Sequence, residues 1–148
     1  MITTLLYILL SSSVQMDDIR QLFTTAAEDE STCEQLMKTT DGYTMDYKPV
    51  VFAYHAAAEM TMANHVMWPV SKLSYFNGGK RKLEEVASKY NTDVEIRYVR
   101  FAVQSGSPSF LGYKDDMAQD EAYIRKNMDK TDWSSSFKKD VIALLDKY

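Results

Sequence analysis

The sequence predicts an all-α fold of about six helices in antiparallel hairpins, and three observations carry that prediction. From Pro49 to Met67, apolar residues fall on nearly every face of a helical wheel. Such a helix has no broad wet side, so it belongs in the middle of a helical domain. Elsewhere, apolar residues recur at helical spacing, as in Leu73, Phe76, Leu83, Val86, Ala87 and Tyr90. No segment alternates with period two, so no sheet is expected. The 148 residues suffice for one domain with a real core.

Met1 to Leu10 is a short apolar block, followed by Ser11-Ser12-Ser13-Val14-Gln15. Apolar run, small residues and polar start form the layout of a cleavable signal peptide, too short for a stable membrane anchor. The block has no Lys or Arg ahead of it. We expect residues 1–15 to be removed on export, with a mature start near Gln15 or Met16. Residues 16–148 then form a single helical domain, periplasmic or secreted. The other reading of the block is an amphipathic helix packed on the core.

Asp17 or Asp18 can cap a first helix in which Ile19, Leu22, Phe23 and Ala26 share a face. Ser31-Thr32-Cys33-Glu34 reads as a capping box, opening a helix that stops near Asp41-Gly42. Pro49 sits in the first turn of the central helix, where its missing N–H is harmless, and Trp68-Pro69 ends that helix. The next begins near Ser71. Gly78-Gly79 lie inside it, yet Leu73 and Phe76 keep the phase of Leu83 and Ala87, so Gly79 marks a close backbone approach. Asn91-Thr92-Asp93 is a turn, with Thr92 or Asp93 capping a helix from Val94 to Gln104. Ser105 to Ser109 breaks it, and Phe110 to Tyr113 is an apolar loop. A polar helix spans Asp115 to Met128, burying Met117, Ile124 and Met128. Thr131 or Asp132 caps the last helix, whose apolar face is Trp133, Phe137, Val141, Leu144 and Leu145.

The stretch from Gly79 to Val99 resembles the junction of two tetratricopeptide repeats. Gly79, Leu83 and Val86 stand where the repeat's second helix packs, and Val94 to Tyr98 looks like the opening of the next first helix. Asn91 replaces the usual turn proline, Arg97 and Phe101 depart from the pattern, and no second copy appears. The resemblance implies tetratricopeptide-like stacking of hairpins. The longer run from Leu73 to Asp116, LSYFNGGKRKLEEV through FLGYKDD, resembles a group of small, uncharacterised, signal-bearing helical proteins of Bacteroidetes-type bacteria. That likeness implies an all-helical fold and export, and no activity.

Composition narrows the function classes. With 45% apolar and 26% charged residues, the chain is not globally disordered. A net charge of −4 argues against a nucleic-acid partner. Lys80-Arg81-Lys82 is followed by Glu84 and Glu85, so it reads as a solvated helix face. One cysteine, Cys33, allows neither an intramolecular disulfide nor a Cys-based zinc site, and it reads as a small buried hydrophobe. Nine methionines and ten tyrosines read as core filling, or as the lining of an apolar-ligand site. No phosphate loop, HExxH, GxSxG or EF-hand pattern is present, and no cofactor is expected.

Two constellations remain. His55 and Glu59 lie one helical turn apart on one face. They read as a buried hydrogen-bonded pair, or as the acid/base or metal-ligand pair of a hydrolase or metal-dependent enzyme. His65 is ten residues on, about 80° away around the wheel, and does not join them. Two ligands on one turn cannot complete a coordination shell, so no metal is expected there. Arg97, Arg100 and Gln104, at i, i+3 and i+7, form a narrow polar stripe on an apolar helix. Partly buried arginines want carboxylates, with Glu59, Asp115, Asp116 and Glu121 as candidates and the segment Asp115–Glu121 as the expected source. The stripe either pins the following loop or, with an exposed Phe110 and Tyr113, lines a groove for an anionic or peptide ligand. The leading expectation is a non-enzymatic interaction or scaffold module with a protein or peptide partner. The alternatives are the His55–Glu59 enzyme and an apolar small-ligand binder.

Overall fold

The computed structural model describes residues 16–148. Among the described residues there are seven α-helices and no strand. They are α1 (16–25), α2 (Glu30–Thr40), α3 (Pro49–Met62), α4 (Pro69–Lys89), α5 (Val94–Gly106), α6 (Met117–Asn127) and α7 (Ser135–Lys147). Short 3-10 turns follow α5 at Ser109–Leu111 and α6 at Met128–Lys130. The all-α expectation holds, with one helix more than about six. The signal-peptide block lies outside the described residues.

Helix α3 is central: it packs on α2, α4 and α5. Val51, Ala53, Tyr54, Ala56, Ala57, Ala58, Met60 and Met62 are all buried. Its small residues let neighbours come close. A Cβ on Gly79 of α4 would stand 2.5 Å from both the Ala56 carbonyl oxygen and Met60 Cγ, so the expected close approach is real and α4 runs unbroken through both glycines. Helix α5 pairs with α6. Helix α7 buries Phe137, Val141 and Leu145, with Phe137 edge-on to Tyr98 of α5 at 5.4 Å.

Several boundaries differ from expectation. Helix α3 ends at Met62, and residues 63–65 form a turn rather than a last helical turn. Pro69 opens α4 at its first position, where a proline fits, instead of only closing α3. The α2 cap is Asp29, whose carboxylate accepts from Thr32 N and Thr32 Oγ1, not Ser31 with Glu34. The α7 cap is Ser134, accepting from Phe137 N, which leaves Trp133 buried but ahead of the helix. Asp93 caps α5 as expected, accepting from Ile96 N.

Candidate functional site

Helix α5 presents two faces with opposite characters. On one face stands the predicted stripe. Arg100 donates from Nε and Nη2 to the two oxygens of Asp120, at 2.8 and 2.9 Å, and Arg97 Nη1 donates to Asp120 Oδ1 at 3.2 Å. Asp120 is fully buried, and both guanidiniums are nearly so, which makes this an internal, two-pronged ion cluster. Arg97 also stacks on the Tyr123 ring at 4.2 Å. Burial opposes the charge on Arg100, but the Asp120 hydrogen bonds and the charges of Asp120, Asp116 and Glu84 hold its pKa above the ordinary value. The partner is therefore in the expected acidic segment, though it is none of the four carboxylates singled out individually except for Asp116, which lies 3.7 Å from Arg100.

The rest of the stripe is closed as well. Gln104 is fully buried and donates from Nε2 to Asp116 at 2.9 Å, while its Oε1 has no hydrogen-bond partner among the described residues. Tyr113, expected to be exposed, is 4% exposed. Its hydroxyl donates to Glu84 at 2.6 Å and its ring lies under Lys80 Nζ at 4.9 Å. Burial first, then the Glu84 hydrogen bond and charge, push its pKa well up. Lys80, Lys82 and Glu84 are thus half-buried and engaged, and the solvated-face reading survives only for Arg81 and Glu85. Of the expected groove residues, Phe110 alone is open, at 87% exposure.

The other face of α5 borders a groove of about 890 Å³. Tyr98, Ala102 and Val103 form its floor, Leu73 and Phe76 of α4 one wall, and Ala143 and Leu144 of α7 another. The end of α1 contributes Phe23, and the 3-10 turn contributes Phe110 and Leu111. The apolar rim residues Leu73 and Tyr148 are 56% and 57% exposed. Just beyond it, Met67, Trp68 and Val70 stand even further out. An open concentration of large apolar side chains around a concave surface is uncommon on a self-contained protein.

His55 and Glu59 do pair, Nε2 to Oε1 at 3.2 Å. Two further polar groups join them: Lys82 Nζ donates to Glu59 Oε1 at 2.5 Å, and Thr40 Oγ1 lies 3.0 Å from His55 Nδ1. Burial raises the Glu59 carboxyl, but the hydrogen bonds and charges of His55 and Lys82 outweigh it and hold the pKa below the usual glutamate range. His65 is elsewhere, donating from Nε2 to the Ala26 carbonyl at 2.8 Å. Among the described residues, no three His, Cys, Asp or Glu side chains converge as a metal site. Cys33 is buried beside the Ala58 carbonyl, and burial pushes its thiol up to about 11, the reverse of nucleophile activation.

One cluster had no counterpart in the sequence reading. Glu95 is buried and takes four hydrogen bonds: two at 2.8 Å from Arg20 Nε and Nη2, one at 2.8 Å from the Tyr54 hydroxyl, one at 3.1 Å from Trp133 Nε1. It ties α1, α3 and the α6–α7 connection to α5. Its members lie 38 to 75 residues away in the chain, and only the buried indole and phenol, which need partners, hinted at it. Among the described residues, no helix is long and apolar enough to cross a membrane. The chain matches no family model, no curated protein and no solved structure.

Proposed function

We propose that this protein is a non-enzymatic interaction module that holds an apolar segment of a partner protein in the groove between α4, α5 and α7. One observation carries the proposal: the groove is open and apolar, while the conspicuous charged groups on the opposite face of α5 are paired with one another. Arg97 and Arg100 have a buried internal counter-ion, so an anionic ligand would have to displace it at high cost. The exposed rim residues Leu73, Phe110 and Tyr148 favour an open docking site over the closed cavity that an apolar small-ligand binder calls for.

The proposal includes the finer fold reading and the origin. Consecutive helices pack on one another, and four residues connect α4 to α5, which supports antiparallel hairpins in a tetratricopeptide-like stack. Kinship with small signal-bearing helical proteins of Bacteroidetes-type bacteria and export to the periplasm or medium rest on the sequence patterns. Intact-mass measurement on protein from the cell envelope should find a chain beginning near Gln15 or Met16; a chain that retains Met1 in the cytoplasm overturns export.

The groove itself is tested with a photo-crosslinking residue placed at Phe110 or at the exposed Arg81 in the producing cell. Discrete adducts at position 110, lost on adding Leu73→Asp, support the module. Equal adducts at both positions, or none, overturn it. A second reading, an enzyme using His55 and Glu59, is favoured by the convergence of Thr40 and Lys82 on that pair. Turnover of an ester, phosphoester or peptide substrate by the native protein and not by His55→Gln would establish it.

A further inference from the structure

We infer that the groove takes one amphipathic helix of the partner, laid along α7, with a basic and an acidic residue seven positions apart facing Asp140 and Lys147. The inference rests on the interaction-module reading above. The α7 wall presents Asp140, Ala143, Leu144 and Lys147 to the groove, which are i, i+3, i+4 and i+7 of one helical face. At 1.5 Å per residue the two charges stand about 10 Å apart along the axis, two turns, with apolar residues between them. A helix docked alongside repeats that spacing in its own side chains.

Neither charge has an ion-pair partner among the described residues, although the Asp140 charge acts on the buried Tyr98 hydroxyl. Among the described residues Asp140 and Lys147 take part in no salt bridge, and Lys147 has a distant contact with the Tyr148 ring at 5.7 Å. This contrasts with Asp120, which is saturated. The size also fits. Three turns of helix, 10–12 Å across and sunk to half their cross-section, displace about 600–900 Å³, against a groove of about 890 Å³. The four charged residues bordering the groove balance, Glu28 and Asp140 against Lys72 and Lys147, and Lys72 Nζ already donates to the Ala63 carbonyl at 3.1 Å. A free fatty acid or other anionic amphiphile would pair with Lys147 and leave Asp140 without a counter-charge, whereas a helix carrying both signs complements both.

The test uses the full chain and fluorescein-labelled 18-residue helical peptides with a Leu/Ala stripe at i, i+3, i+4 and i+7. One carries Lys and Glu seven residues apart at its flank; the others carry Lys–Lys or Glu–Glu there, which mismatch the α7 wall in either chain direction. Anisotropy titrations should show the Lys/Glu peptide binding at least tenfold more tightly than both controls, with Lys147→Glu shifting the preference to the Lys–Lys peptide. Circular dichroism checks that this surface variant is folded. If all peptides bind equally and Leu73→Asp abolishes their binding, the charge-matched helix is overturned and the groove reading stands. If only a fluorescent fatty acid binds and Leu73→Asp blocks it, the helix is again overturned and the occupant is a lipid chain. If no peptide and no fatty acid binds, the inference falls together with the interaction-module reading.

Discussion

The two faces of α5 share one helix and one set of neighbours, yet they are finished in opposite ways. Arg97, Arg100 and Gln104 point into carboxylates from α6 and its approach. Ala102 and Val103, on the other side of the helix, border open space, with the buried Tyr98 ring beneath it. The polar face, readable in the sequence either as an internal network pinning the following loop or as the lining of a groove, holds an internal ion cluster. The apolar face looked like core and is the better candidate for binding. Charge attracts attention in a sequence, but a charge buried with its partner reports on folding; an apolar surface left uncovered reports on something outside the chain.

The largest expected effect breaks the polar face. Asp120→Ala leaves Arg97 and Arg100 buried with their principal counter-ion gone, and should cost about 3–5 kcal/mol in urea unfolding. Arg100→Lys should recover little of the loss of Arg100→Ala, since lysine cannot reach both Asp120 oxygens. Native-like stability of Asp120→Ala would show that the cluster is loosely hydrated, and the contrast between the faces would disappear.

A second experiment separates the sealed interior from the open groove by titration. The Cys33 thiol is held neutral by burial up to about 11, while in the unfolded chain it ionises near its ordinary value of 9.0. Between those values the unfolded state loses a proton that the folded state keeps, so stability falls as pH rises. The loss reaches about 2–3 kcal/mol by pH 11, and Cys33→Ala should remove that component. Tyr54 and Tyr98, pushed up by burial and then by the Glu95 charge, steepen the decline above their ordinary range. A flat stability profile from pH 9 to 11 in the native protein contradicts the buried thiol.

What could be read from the sequence divides along the same line. The all-α class, the buried α3, the Gly79 approach and the acidic partner for Arg97 and Arg100 each follow from spacing within one helix or across one short loop. The caps at Asp29 and Ser134 were misplaced because several capping residues lie within five positions, and the path of the chain decides which one reaches the free amides. Glu95 was missed because Arg20, Tyr54 and Trp133 come from three distant elements with no periodic signal linking them to it. The groove was unreadable for a related reason. Periodicity shows that Tyr98, Ala102 and Val103 are apolar, but whether α7 covers them depends on where that helix docks. Its placement is influenced by Phe137 against Tyr98 and by the Arg20–Phe137 contact at 5.1 Å.

Paired glycines provide a smaller comparison inside α4. A Cβ on Gly79 would strike the Ala56 carbonyl and Met60, whereas one on Gly78 would meet Glu59 Oε2 at an ordinary 3.6 Å. Gly79→Ala should therefore destabilise by about 1–3 kcal/mol through overpacking. Gly78→Ala should be neutral or gain up to about 1 kcal/mol from helix propensity. Equal effects in thermal melts would mean that α3 and α4 are further apart than described.

The smallest expected effect on stability carries the most information about function. Phe110 and Leu73 are large, apolar and exposed, so replacing either with Asp removes little buried surface and should change stability by no more than about 0.5 kcal/mol. On the docking proposal, a side chain that contributes little to the fold, yet keeps an apolar surface in water beside a concave site, acts in the bound state. The charge introduced by Leu73→Asp would then be buried against an apolar partner and should weaken docking at least tenfold, as expected for an unpaired charge at an interface. Urea unfolding and the anisotropy titration on the same variant supply both numbers. If Leu73→Asp destabilises the free protein as much as Asp120→Ala does, the groove wall is core after all, and the two faces of α5 differ in composition but not in role.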